Sequence, residues 1–376
     1  MKKSVALSIS LIFSFIFFSK DGFGQTAVNY YNSGLTKYSS KDYSGALADY
    51  TKALEIDPKY ALAYHNRGLS KYKLKDYSGA IADYNLAIEN KPDYASAYYN
   101  RALAKYNLKD YDGELADYDK AIALNPKFAS AYYNRALAKE SLKDYAGAVE
   151  DYTKAIENDP KYASAYYNIG VIKYNLKDKN AAIENFTQAI AHNPKDSKAY
   201  YNRGITKYDM LDYSGASADF TSAIAIDPLY SEAYYYRGLT KNNLDDINGE
   251  IADYTKATEL NPKFARAYYN RGLAKAKLKD HQGAIADYTQ AIEINPQYAE
   301  AYNNRGVAKY NLKDFNGAIE DYSKAIDNNS QYATAYYNRG LVRMETGQKD
   351  GACLDFKNAV DFGEKDAALQ IEKNCK

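Results

Sequence analysis

The 376-residue chain has no tryptophan, only two cysteines and only three histidines. The histidines, His65, His192 and His281, are far apart, and no spacing puts two of them on one face of a helix. A zinc-type metal site therefore has no support. Cys353 and Cys375 both lie at the end of the chain, and no Cys-x-x-Cys pair is present. Also missing are a nucleophile elbow and a glycine loop that would cradle phosphate. Charge of one sign is lacking too. Lys and Arg number 49 against 48 Asp and Glu, a net of +1, which gives no electrostatic case for nucleic acid. The carboxylates recur at the same places along the chain, as solvated faces do, whereas a catalytic pair would occur once. These absences argue against an enzyme and imply no cofactor, no metal and no nucleic-acid partner.

Long apolar runs are missing except at the start. Lys2 and Lys3 precede a mostly apolar run from Val5 to Phe18, and Gly22, Phe23, Gly24 and Gln25 follow it. A basic start, a short apolar run and small residues beyond it are the pattern of a secretory signal peptide, here residues 1–24. The alternative is a membrane anchor, but the run is shorter than the roughly 20 residues a spanning helix needs. No cysteine follows it for a lipid. The reading is an exported protein, periplasmic, cell-surface or secreted, with no membrane span after cleavage.

What is present is a period. The eight prolines are Pro58, Pro92, Pro126, Pro160, Pro194, Pro228, Pro262 and Pro296, each 34 residues from the next, and Ser330 stands where a ninth would fall. Counted from Ala27, ten repeats run without a gap: 27–60, 61–94, 95–128, 129–162, 163–196, 197–230, 231–264, 265–298, 299–332 and 333–366. Such a period marks a stack of similar units. None alternates as a strand would. Each reads as two helices, from the second to the fourteenth place and from the seventeenth to the thirtieth. A Lys-Asp pair such as Lys109 and Asp110 parts them. An Asn-Pro or Asp-Pro pair such as Asn125 and Pro126 ends the second, because proline disfavours helical geometry in the residue before it.

Several places recur together: an aromatic fourth residue (Tyr98), a small eighth (Gly68, Ala102), alanine at the twentieth, an aromatic twenty-fourth (Tyr118), and alanine at the twenty-seventh from Ala53 to Ala359. In length and in these places the repeat resembles the tetratricopeptide repeat. The resemblance implies an all-α, right-handed superhelical solenoid of ten helix-turn-helix repeats. A concave groove would be lined mainly by the first helix of each. The chain departs from the family at the seventh place, Arg in eight repeats, and at the eleventh, Lys or Arg in all ten. Glu114 and Glu250 replace the alanine where the two helices cross, so looser packing is expected there.

At 100° per residue, the fourth, fifth, eighth, ninth and twelfth places of the first helix form an apolar arc. The seventh and eleventh flank one side; the second, sixth and thirteenth flank the other. The seventh-place arginine is expected to pair with Asp at the twenty-third place, as Arg101 with Asp117. Repeat five lacks both, with Ile169 and Asn185. The sixth place holds Asn32, Asn66, Asn100, Asn134, Asn168, Asn202, Asn270, Asn304 and Asn338, broken only by Tyr236. An amide donates and accepts at once, so it can grip a peptide unit of an extended chain. The series is similar to the asparagine ladder in the groove of the O-linked N-acetylglucosamine transferase repeats. The alternative is that asparagine there only solvates the groove. Asn66, Asn100, Asn134, Asn168, Asn202, Asn270, Asn304 and Asn338 are the candidate peptide-binding residues.

Beyond the last repeat, Ala368, Ile371 and Cys375 are spaced as one apolar face, so residues 367–376 read as a short capping helix over the open end of the array. Cys353 and Cys375 are the candidate disulfide, a bond that persists outside the cytoplasm. The expected function is an extracytoplasmic protein-interaction scaffold, binding extended peptide or protein segments in the groove. Glycan binding through fifth-place tyrosines such as Tyr99, or a purely structural envelope role, are the alternatives.

Overall fold

Each repeat folds as a helical hairpin whose corners are set by three residues. In repeat three, Lys109 adopts a left-handed backbone with φ 64° and so stops the first helix. Asp110 caps the second by accepting the N–H of Gly113 at 3.0 Å. A Cβ on Gly113 would collide with that carboxylate, which accounts for glycine at the nineteenth place. The turn recurs with Lys41, Lys75, Lys143, Lys177, Leu211, Asp245, Lys279 and Lys313 in the left-handed position, and Gly347 takes it in the last repeat.

The computed structural model describes residues 22–375. The leader expected over 1–24 lies outside the described residues except for the helical backbone of its last three. The described residues form two compact units that divide between Asn193 and Pro194. The first contains α1 (Gly22–Ser39), α2 (Tyr43–Ile56), α3 (Ala61–Lys73), α4 (Tyr77–Asn90), α5 (Ala95–Asn107), α6 (Tyr111–Leu124), α7 (Ala129–Ser141), α8 (Tyr145–Asn158), α9 (Ala163–Asn175) and α10 (Lys179–His192). The second contains α11 (Ser197–Tyr208), α12 (Tyr213–Ile226), α13 (Ser231–Asn243), α14 (Ile247–Leu260), α15 (Ala265–Lys277), α16 (His281–Ile294), α17 (Ala299–Asn311), α18 (Phe315–Asn328), α19 (Ala333–Glu345), α20 (Lys349–Asp361) and α21 (Asp366–Asn374). Within each unit a helix packs on its hairpin partner and on the next hairpin, so each is an all-α repeat solenoid.

Second helices occupy the expected places, except that α20 ends one residue early. Most first helices begin and end one residue early: α5 is Ala95–Asn107, not 96–108; α1 begins at Gly22 and α11 ends at Tyr208, two residues early. The carbonyl of Tyr94 already accepts from Ala97 and Tyr98, and the left-handed Lys109 makes Leu108 the closing residue.

The core lies between the paired helices. Tyr84 on α4 is fully buried, and a Cβ on Gly68 of α3 would sit 2.7 Å from its ring. Place eight is therefore small so that the twenty-fourth-place ring can lie flat across it. Tyr118 fills this role in repeat three, and Tyr98 packs against the same cluster from its margin, with Arg101 5.3 Å from its ring. Glu114 and Glu250 are enclosed, 0% and 3% exposed, and a cavity of about 230 Å³ lies beside Glu250, lined also by Ile247 and Lys277, which fits the looser packing expected in repeat seven.

At the C-terminus α21 turns Ala367, Ile371 and Cys375 onto Phe356 and Ala359. Ala368 is exposed, a correction to the expected face: residues four apart stack on a helix, and Ala367 rather than Ala368 is in that row with Ile371. No described helix is long and apolar enough to cross a membrane.

Candidate functional site

The sixth-place asparagines form a ladder, and its first bonds run along the stack. In the first compact unit, Asn66 donates to the Tyr31 hydroxyl at 2.7 Å and Asn134 to the Tyr99 hydroxyl at 2.9 Å. Asn168 donates to the hydroxyls of Tyr133 at 3.3 Å and Tyr152 at 3.0 Å. In the second unit, Asn270 donates to Tyr235 at 3.1 Å and Asn304 to Tyr269 at 2.9 Å. Apart from Tyr152, each partner is the fifth-place residue of the preceding repeat. Where that residue changes, the bond persists: Asn100 pairs with His65 Nε2 at 2.8 Å, and Asn338 donates to Asn303 Oδ1 at 3.1 Å.

This geometry sorts the candidates. Asn134 is 1% exposed, and its two N–H groups go to Tyr99 and to the Ser130 carbonyl. Asn168 is buried with both N–H groups on tyrosines. Neither can grip a peptide as the sequence suggested, because a bound main chain would have to displace bonds inside the protein. Asn66, Asn270 and Asn338 are half-buried. Asn66 and Asn338 each spend one N–H on the neighbour and keep a second N–H and a carbonyl oxygen, whereas Asn270 also bonds the Tyr254 hydroxyl. Asn100 is buried, Asn202 is half-buried, and Asn304 accepts from Asn303 at 3.2 Å. The tyrosine partners were missed in the sequence; the signal was that the fifth place ends in a polar atom in every repeat, as Tyr, His65 or Asn303.

The opposite flank is closed on itself. Arg101 reaches Asp117 with Nε at 2.8 Å and Nη2 at 2.6 Å, and Lys105 adds a bond at 2.9 Å. The same triad recurs as Arg135, Asp151 and Lys139, and as Arg305, Asp321 and Lys309. The arginine can also reach back one repeat, as Arg305 Nη1 does to the Thr289 hydroxyl at 3.0 Å. This flank offers structure, with little left to bind.

Fifth-place tyrosines are also largely spent. Tyr99 and Tyr133 are buried, 3% and 5% exposed, and Tyr133 stacks on Tyr162 at 4.8 Å. Burial pushes the Tyr31 and Tyr133 phenols upward, partly offset by the asparagine bonds, so they stay neutral.

Tetratricopeptide repeat models match residues 95–128, 129–162, 163–196, 231–264, 265–298 and 287–320, and a TPR repeat model matches 34–75, 68–109 and 309–347. The chain belongs to the tetratricopeptide repeat family. No curated protein matches it in sequence. Among solved structures, it is similar to the C-terminal part of a TPR repeat-containing protein from Cytophaga hutchinsonii. They share 20% identity over 63% of this chain and 97% of that one, with a TM-score of 0.55. A tetratricopeptide repeat protein from Parabacteroides merdae has 20% identity over 64% and 96%, TM-score 0.47. YrrB, described as a TPR protein with an unusual peptide-binding site, has 24% identity over 50% and 96%, TM-score 0.46. The first of these supports the fold.

Proposed function

We propose that this repeat protein is a protein-interaction scaffold that works outside the cytoplasm and holds extended peptide segments along its sixth-place strip. The observation that carries the reading is the pair of half-buried amides at Asn66 and Asn338, each with an N–H and a carbonyl left for a main chain. Such a grip reads backbone and ignores side chains. It supports sequence-tolerant binding of modest affinity, since each net hydrogen bond contributes about 0.5–1.5 kcal/mol and ordering the peptide offsets part of it. Export is supported by the leader pattern and by Cys353 and Cys375, which lie at disulfide distance with Cα atoms 5.7 Å apart.

The test is calorimetric binding of a panel of random-sequence peptides that lack tyrosine. Asn66→Ala and Asn338→Ala combined are expected to weaken binding by roughly tenfold or more, at about 1 kcal/mol for each bond. Asn134→Ala is expected to leave binding unchanged while lowering the melting temperature, because its bonds are internal. Equal peptide affinity in the double variant and the wild type sinks the reading. Binding on a glycan array with none on the peptide panel favours the sugar alternative.

A further inference from the structure

The twelfth and thirteenth places form a second ladder beside the asparagine one. Asn107 donates to the hydroxyl of Tyr72 at 3.1 Å and also to the Leu103 carbonyl at 2.8 Å. Asn243 repeats both bonds, to Tyr208 at 3.3 Å and to Leu239 at 2.9 Å. The twelfth-place ring meets the aromatic residue at place seventeen: Tyr72 with Tyr77 at 5.4 Å, Tyr208 with Tyr213 at 5.4 Å, Tyr310 with Phe315 at 5.7 Å. In repeats two and six the tyrosine thus has a neighbouring ring at one side and an amide N–H from the next repeat at its hydroxyl, whereas Tyr310 donates to Glu345 at 2.7 Å.

Repeat eight keeps the setting and lacks the tyrosine. Its twelfth residue is Ala276 on α15, its seventeenth is His281 on α16, and the thirteenth residue of the next repeat is Asn311 on α17. Asn311 makes the local bond to the Val307 carbonyl at 3.0 Å. Its other N–H has no tyrosine to meet. Where the ring would lie there is a cavity of about 290 Å³, lined by Leu273, Ala276, His281, Tyr288, Val307 and Asn311. The enclosed Nδ1 of His281 has no hydrogen-bond partner. A cavity of about 150 Å³ lined by apolar side chains already holds a benzene ring, so this one has room for a phenol.

We propose that the cavity is a socket for a tyrosine side chain of a bound polypeptide, which takes the place that Tyr72 and Tyr208 fill in their own repeats. The ring packs among Leu273, Val307 and Tyr288 with its edge to His281, and the hydroxyl accepts the spare N–H of Asn311. An aliphatic side chain would fill the apolar part without meeting that N–H, which stays with solvent because Asn311 is exposed. The occupant belongs to a polypeptide because sixth-place Asn304 lines the same cavity. A main chain held on the asparagine strip can therefore drop a side chain into it. This inference rests on the peptide-binding reading and names the side chain that reading leaves open.

The probe is p-cresol, a tyrosine side chain cut at Cβ, titrated into the full chain and followed by saturation-transfer NMR. Wild type is expected to bind it saturably, and toluene roughly three- to tenfold more weakly, the worth of one hydrogen bond. Asn311→Ala should bring p-cresol down to the toluene level. Ala276→Tyr should fill the socket and abolish p-cresol binding. It is expected to fold, since tyrosine is the residue at this place in other repeats, and its melting temperature checks this. No saturable p-cresol binding by wild type, or undiminished binding by a folded Ala276→Tyr, overturns the proposal. Neither result touches the groove, whose own test uses Asn66 and Asn338, on other repeats than Ala276, and peptides without tyrosine.

Discussion

Arg101 is bound to two repeats at once: Nε and Nη2 hold Asp117 of its own hairpin, and Nη1 reaches Asn85 of the preceding one at 2.6 Å. The carboxylate is buried and the guanidinium is 17% exposed, so the pair is costly to break and modest in net worth. Repeat five replaces both partners, with Ile169 and Asn185. Arg101→Ile alone leaves Asp117 buried with only Lys105, and is expected to cost about 2–4 kcal/mol. Asp117→Asn alone leaves two cations facing a neutral amide. The double variant copies repeat five and should cost less than the sum by about 1–3 kcal/mol. Urea unfolding of the four proteins checks this; strict additivity means that the two residues are not coupled.

That pair was legible in the sequence because both partners lie inside one period and vanish together in one repeat. The Asn134 bond to Tyr99 was not, because its partner lies 35 residues back. A helical wheel gives the face of each helix and says nothing of how far one hairpin turns over the next. The same gap hid Asn134 at 1% exposure, within a series whose residues are alike and whose surroundings differ. Hairpins, turns and the proline stops were readable because they depend on residues within a few places of each other. The socket at Ala276 needed both kinds of information, the break in the tyrosine series and the bond from the next repeat.

His65 stands where most repeats have a fifth-place tyrosine. It is buried, with Asn100 donating to Nε2 at 2.8 Å and the Tyr94 hydroxyl 3.1 Å from Nδ1. Burial lowers its pKa from 6.5 to about 4. The folded protein therefore refuses a proton that the unfolded chain accepts below 6.5. The stability held by neutral His65 is intact above pH 6.5 and falls as pH drops toward 4, by about 3 kcal/mol over the whole window. His65→Tyr restores the common residue and should remove this part of the acid sensitivity. The urea midpoint measured at pH 7 and pH 4.5 should drop further for wild type than for the variant; equal drops would mean that His65 is not the sensitive group.

Glu250 is 3% exposed at a place where eight of the ten repeats have alanine. Burial raises its pKa, partly offset by Lys277. An acid with a raised folded pKa stabilises most when protonated, and that stability is lost as pH rises from the unfolded value through the folded one. Glu250→Ala is therefore expected to raise the melting temperature at pH 7, by a few degrees for about 1 kcal/mol, and to gain less near pH 4. A variant less stable than wild type at pH 7 would show that the carboxylate's contacts outweigh its desolvation.

At the C-terminal end, α21 is nine residues long, too short to persist alone in water. It stays in place by packing Ala367 and Ile371 onto Phe356 and Ala359. Cys375 follows its last residue, and its partner Cys353 lies on α20, 22 residues back in the chain. A closed loop of this length stabilises by roughly 3 kcal/mol in the chain-entropy model, and here the gain falls on the element that covers the end of the stack. Cys375→Ser should free α21, speed amide exchange over residues 366–375 and expose Phe356, while the earlier repeats keep their protection, because a repeat array transmits stability only between neighbours. Thiol titration of exported, unfolded protein decides whether the bond forms: no reactive group without reductant and two with it are expected, and two without reductant would rule the tether out.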